Sequence, residues 1–86
     1  MAEYIVELKR SAERELQRLP GAVLSRMVAK IEKLAKEPRP EGCVKLKGGD
    51  REYRIRVGEY RAVYVVNDTR RVVSVTRIRH RSEVYE

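Results

Sequence analysis

The stretch YRIRVGEYRAVY, running from Tyr53 to Tyr64, decides the fold. Tyr53, Ile55 and Val57 alternate with Arg54 and Arg56, the period of two that sends successive side chains to opposite faces of a sheet. Gly58-Glu59 interrupts the run and Tyr60 to Val66 resumes it. Two extended runs joined by two residues, glycine first, predict a β-hairpin. The second run is apolar on both faces apart from Arg61, which predicts a central strand. Tyr60 and Tyr64 share a face with Ala62 and Val66 and are expected in the core. That leaves Arg54, Arg56 and Arg61 to be explained.

Working outward, Asn67 to Arg70 reads as a second turn and Arg71 to Ile78 as a further valine-rich strand. Residues 79–86 show no period of their own. Upstream, Val44 to Lys47 alternates briefly before Gly48-Gly49-Asp50. Tyr4 to Leu8 reads as a strand, closed by Lys9-Arg10. Ser11 stands where a helix N-cap is expected, with Glu13 in the first turn. Ala12, Leu16 and Leu19 then form one helical stripe up to Pro20-Gly21. From Ala22 to about Lys36 a wide apolar face is built by Val23, Leu24, Met27, Val28, Ile31, Leu34 and Ala35, with Arg26, Lys30 and Lys33 opposite. Those three cations read as a solvated face. Pro38 and Pro40 stop the helix. The expected fold is α+β: an N-terminal strand, a helix hairpin, then a mostly antiparallel sheet of three to four strands. The helices cover one sheet face and no second layer remains for the other, so that face is wet, small or functional. Arg54 and Arg56 belong there.

Composition narrows the function classes. Eighty-six residues predict a single domain, 1–86, with one modest core. There is no Trp or Phe, so aliphatic residues and five Tyr must build that core. One cysteine, Cys43, excludes an internal disulfide and the usual zinc sets, and reads as a small hydrophobe in a reducing compartment. No membrane-spanning run and no signal peptide are apparent, so a cytoplasmic protein is expected. Glycine loops for nucleotides and metal-ligand clusters are absent, and no cofactor is expected.

The net charge is +7 and it is uneven. Residues 1–43 hold nine Lys/Arg against seven Asp/Glu, whereas residues 44–86 hold eleven against six. Fourteen of the twenty cations are arginine, the residue suited to bidentate phosphate contact and base stacking. A thermophile's ion-pair surface would also favour charge and deplete amides, and the chain has one Gln and one Asn. It would not thin out the acids in the second half. The concentration of Lys45, Lys47, Arg54, Arg56, Arg61, Arg77, Arg79, His80, Arg81 and Tyr85 suits RNA. Cations hold the phosphate backbone and an aromatic stacks on a base. The same groups suit metal-free cleavage by the ribose 2′-OH, where fixed guanidinium groups neutralise the pentavalent phosphate and a Tyr, His or Lys moves protons.

The hairpin YRIRVGEYRAVYVV, the closing IRHRSEVY, the preceding KLKGG and the Leu-Pro bend between the helices together resemble the RelE branch of the RelE/ParE toxin superfamily. The resemblance covers nearly the whole chain. It implies a RelE-like fold and a type II toxin that cuts mRNA in the ribosomal A site. It also implies an acidic, partly disordered antitoxin as partner. By position, Arg61 matches the arginine at the scissile phosphate, Arg81 the arginine that stabilises the transition state, and Tyr85 the tyrosine that orients the cut nucleotide. Arg54 and Arg56 stand where the best-studied branch of the family has two lysines, one a proposed base. An arginine does not give up its proton, so the two can bind phosphate but not serve as base. Lys45, Lys47 and His80 are the other candidates, and Arg79 joins the RNA-binding set. Two alternatives stay open: a ParE-like inhibitor of DNA gyrase, and a basic RNA-binding module without catalysis.

Overall fold

The computed structural model describes residues 3–48 and 51–83. In chain order they form β1 (Ile5–Leu8), α1 (Arg10–Gln17), α2 (Gly21–Lys33), β2 (Val44–Lys45), β3 (Glu52–Val57), β4 (Tyr60–Asn67), β5 (Val72–His80) and a 3-10 turn, Arg81–Glu83. The strands make one sheet in the order β1-β5-β4-β3-β2. β2, β3, β4 and β5 pair antiparallel, whereas β1 runs parallel to β5. The expected α+β architecture holds, with a difference in count. The N-terminal strand joins the sheet as an edge, so the sheet has five strands rather than three to four. A parallel neighbour needs a long connection instead of a hairpin, and no local signal in Tyr4 to Leu8 reveals that distant pairing.

The helices cover one face. Ala12 and Leu19 from the first helical segment and its bend, with Met27, Ile31 and Leu34 from the second, pack on Ile55, Val57, Ala62, Tyr64, Val66, Val73, Val75 and Ile78. Complete burial of a side chain such as Met27 or Leu34 contributes about 1.5–3 kcal/mol. The alternation read in the hairpin is thus realised: Ile55 and Val57 lie inward, and Arg54 and Arg56 lie on the uncovered face. Tyr64 is wholly buried, as expected, and donates to the carbonyl of Pro38 at 2.8 Å. Burial, followed by Cys43 beside it, raises that phenol well above its ordinary range, so it acts as a neutral donor that pins the segment after α2 to the sheet.

Three local readings are corrected. Ser11 does not cap α1. Lys9 occupies the cap position without a side-chain bond, and Ser11 Oγ instead donates to the carbonyl of Thr76 on β5 at 2.9 Å. A tertiary acceptor has outcompeted the local one. Gly21 is the first residue of α2 rather than the end of α1, with Pro20 at the cap position. β5 runs past Ile78 to His80.

β5 also contains the irregularity that sets the site. Tyr64 pairs with Val75, but Val63 pairs with Arg77, leaving Thr76 as an extra residue. Such a bulge shifts the alternation by one. Before it, Val73 and Val75 face the helices; after it, Ile78 does. Unbulged, the same strand would drive Arg77 and Arg79 into the core. Thr76 Oγ1 donates to the carbonyl of Val63 at 3.2 Å, while Ser11 holds the Thr76 carbonyl. Beyond the last β1 pair the edge of β5 is closed by the α1 segment. The Lys9 N–H bonds Val75 O, and Glu15 Oε1 accepts the Ile78 N–H at 2.8 Å. That occupies an edge otherwise open to pairing.

Candidate nucleic-acid interface

The hairpin register and the bulge together assemble a row of arginines. Arg56 on β3 is paired with Arg61 on β4, and Arg61 with Arg79 on β5. Directly opposed residues lie about 4.5–5.5 Å apart at Cβ, and like charges there repel. Three guanidinium groups side by side on the uncovered face are therefore a standing cost, unless an anion bridges them. Arg79 is partly neutralised, its Nε 3.0 Å from Glu15 Oε2, with Arg77 Nε at 3.9 Å from the same oxygen. Arg61 is not. Its Nε is buried and no described residue accepts its hydrogen. A buried donor left unpaired costs about 1–3 kcal/mol, so a guanidinium held this way is prepared for an incoming acceptor.

One row further toward the hairpin turn, the Arg81 N–H donates to the carbonyl of Glu59 at 2.7 Å, extending the β4–β5 ladder beyond the last strand pair. The side chains of the same two residues, both exposed, form an ion pair. Alternation along β4 and β5 puts Glu59 and Arg81 on the same parity as Arg61 and Arg79, with Tyr60 and His80 between them on the opposite parity.

On the other side of the row lies a cleft of about 620 Å³ between α2 and the free edge of β3 beyond its short pairing with β2. Arg54, Arg56 and Arg61 line it from the sheet, and Arg26, Lys30 and Lys33 from α2. Lys30 Nζ donates to the carbonyl of Arg56 at 2.9 Å, tying the helix to the strand edge. Among the described residues that line the cleft there is no carboxylate. The α2 cations, expected to be a solvated face, are indeed exposed, but they share a wall with the sheet arginines. Their spacing of four and three residues on one helix face was the available signal. Which way that face points is fixed only by the packing of the opposite face.

The remaining candidates are dispersed. Lys45 is paired with Tyr53 and so has the opposite parity to Arg54. Lys47 is in the turn that follows β2. His80 pairs with Tyr60 on the helix side of the sheet, edge-on to the Tyr60 ring at 5.3 Å between centroids. Its Nδ1 lies 3.3 Å from the Ser82 N–H and 3.0 Å from Ser82 Oγ, turned toward the 3-10 turn. Register thus separates His80 from the arginine row. Tyr85 lies outside the described residues. No His/Cys/Asp/Glu group among the described residues could hold a metal ion, and none of the described helices is long and apolar enough to cross a membrane.

Comparison with known proteins gives a consistent picture. The profile of a family described as the ParE toxin of type II toxin–antitoxin systems matches residues 6–85. A Methanocaldococcus jannaschii protein that carries the name toxin RelE1 is 31% identical over 87 residues, covering 98% of this chain and 97% of that protein. Among solved structures, a chain of the archaeal RelE–RelB complex from Pyrococcus horikoshii superposes with a TM-score of 0.82 at 30% identity, over 94% of this chain and 98% of that one. The isolated E. coli RelE toxin superposes with a TM-score of 0.81 at 29% identity, over 96% and 88% of the two chains.

Proposed function

The chain belongs to the RelE/ParE toxins of type II toxin–antitoxin systems, and on that premise we propose that it is a ribosome-dependent mRNA endonuclease. The observation that carries this reading is the arginine row with the buried, unpaired Nε of Arg61 at its centre. Three like charges aligned on an uncovered face are costly in the free protein and favourable around a phosphate.

In the proposed reaction the ribose 2′-OH attacks the neighbouring phosphorus. Arg61 and Arg81 neutralise the charge that builds on the phosphoryl oxygens, fixed donors being worth most where charge develops. Arg54, Arg56 and Arg79 hold the flanking backbone. The cleft lets Arg26, Lys30 and Lys33 continue the phosphate track from the sheet onto α2. Lys45, Lys47 and His80 remain peripheral RNA contacts, and Tyr85 is assigned to orienting a base. The products are a 2′,3′-cyclic phosphate and a 5′-hydroxyl.

The toxin's partner is proposed to be an acidic antitoxin that covers the arginine face. RelE is found with RelB in the P. horikoshii complex, and a disordered acidic segment can fold over a wide basic surface. Mapping of mRNA 5′ ends in a translating lysate tests the reading. The wild type should yield cuts within translated codons, with cyclic-phosphate ends upstream, and Arg61→Ala should cut on the order of 10²-fold more slowly. Intact mRNA at every toxin concentration would sink it. The match to the ParE family profile favours one rival, inhibition of DNA gyrase. A supercoiling assay with the purified toxin distinguishes the two.

A further inference from the structure

Proton transfer is the step that the arginine row cannot perform. Arg54, Arg56, Arg61, Arg79 and Arg81 all carry guanidinium groups, which stay protonated in proteins. His80 has the wrong parity, on the helix side of the sheet. A group that accepts the 2′-OH proton must come from the same face and the same end of the sheet as Arg61 and Arg81.

Four carboxylates among the described residues approach that face. Glu7 on β1 accepts from Ser74 Oγ at 2.7 Å, before the bulge and away from Arg61 and Arg81. Glu15 has both oxygens engaged, Oε1 by the Ile78 N–H and Oε2 by Arg79, and it closes the β5 edge. Glu52 is paired with Val65, near the far end of the hairpin. Glu59 is different. It occupies the β3–β4 turn, two residues from Arg61, and its carboxylate meets the Arg81 guanidinium. Its main chain is fixed by the Arg81 N–H, yet its side chain is exposed and open to a ligand. A phosphate held by Arg61 and Arg81 would sit next to the Glu59 carboxylate.

The geometry points to Glu59 as the general base of the reaction proposed above, an inference that rests on that reading. Glu59 takes the proton from the 2′-hydroxyl as the O2′–P bond forms. The P–O5′ bond breaks, the 5′-oxygen takes a proton from water, and Glu59 returns its own to water, so no proton is gained or lost overall. Arg81 has two partners in turn. It orients the Glu59 carboxylate in the free toxin and shares its donors with the phosphate in the complex. The hairpin turn thus supplies the base that the strand arginines cannot.

The test is single-turnover cleavage of mRNA on programmed ribosomes, measured across pH with wild type, Glu59→Gln and Glu59→Asp. Gln keeps an oxygen for Arg81 and nearly the same volume but is a far weaker proton acceptor. The expectation is a loss on the order of 10²-fold at neutral pH for Glu59→Gln, typical of removing a general base. The rise in rate with pH on the acid side should disappear with it, and Glu59→Asp should retain that rise at reduced rate. The other charged groups near Glu59 are Arg81 from the 3-10 turn and Arg56, Arg61 and Arg79 from the strands. All four are guanidinium groups, and His80, across the sheet, is controlled by His80→Gln in the wild-type background. Glu59→Gln cutting within threefold of wild type overturns the assignment and leaves the cleavage reading standing. A slow Glu59→Gln that keeps the acid-side rise assigns Glu59 to positioning Arg81 alone, and also overturns it. Wild type that does not cut at all overturns both readings. Folding of each variant is checked by far-UV circular dichroism, and the exposure of Glu59 makes a folding defect unexpected.

Discussion

Arg61 carries opposing demands on one side chain. Its Nε is buried without a partner among the described residues, and arginines face it on both sides. Stability alone would replace it. The expected outcome for Arg61→Met is a gain of about 1 kcal/mol in unfolding free energy, since a buried unpaired donor and two like-charge contacts vanish while the aliphatic stem is retained. Cleavage should fall on the order of 10²-fold in the same variant. Urea unfolding and the end-mapping assay, run on one preparation, check both halves. A destabilised Arg61→Met would mean that the guanidinium has a compensating partner in the free protein and is not held in reserve. Arg61→Lys should also fail in cleavage, because a point charge on a flexible stem does not reproduce a planar fork of donors. Its measured rate separates a requirement for charge from one for geometry.

The bulge in β5 makes the same argument at the level of an element. Residues 73–80 contain two alternations out of phase, Val73 and Val75 and then Ile78, with Thr76 as the join. Deleting Thr76 removes the extra residue and leaves Val75, Arg77, Ile78 and Arg79 in one continuous alternation, so Ile78 stays inward, Arg77 and Arg79 stay outward, and the pairing with β4 is kept. Thr76→Val keeps the residue count and loses only the bond to Val63 O, at a cost of about 1 kcal/mol. The deletion should therefore remain folded, with a urea midpoint near that of Thr76→Val. A deletion variant that is largely unfolded in water would show that the bulge itself, with the Ser11 bond to the Thr76 carbonyl, is needed to hold the end of β5. The same strand shows what the sequence could and could not reveal. In the β3–β4 hairpin the phase is continuous, so Ile55 and Val57 could be assigned inward and Arg54 and Arg56 outward from alternation alone. In β5 the phase depends on which residue of β4 stands opposite, and on Ser11 reaching across from α1. Neither is local information. The α2 cations were hidden for a related reason: the helical period groups Arg26, Lys30 and Lys33, but only packing turns them toward β3. Glu59 was read as a turn residue, and its meeting with Arg81 depends on the register of β5.

Across the whole molecule, the catalytic candidates and the main polar network occupy opposite ends of β4. Arg61, Glu59 and Arg81 gather at its start, whereas Asp68 follows its end. Eight residues of strand separate the two by about 25 Å. At the Asp68 end, Arg39 forms a paired contact with the carboxylate, its NH1 and NH2 at 3.2 and 2.6 Å, and its Nε donates to the Tyr53 hydroxyl at 2.9 Å. Tyr4 donates to the same carboxylate. One acidic group thus joins the N-terminal segment, the loop after α2, β3 and the β4–β5 turn. Arg39 first, then the Tyr4 hydroxyl, lower the Asp68 pKa, and Ser74 first, then Lys9, lower that of Glu7 on β1. A carboxyl group that binds protons less readily folded than unfolded stabilises the fold at neutral pH, and that contribution is lost as pH falls through its folded value. The urea midpoint of the wild type should therefore decline on acidification below about pH 4, the ordinary carboxylate range. Asp68→Asn should be less stable than wild type at pH 7, and the gap should narrow as pH falls. Because the network lies at the far end of β4, the same substitution should leave the pH dependence of mRNA cleavage unchanged wherever the variant remains folded. Equal acid slopes in the two proteins would remove Asp68 from the linkage. An altered cleavage profile in Asp68→Asn would show that the two ends of the sheet are coupled.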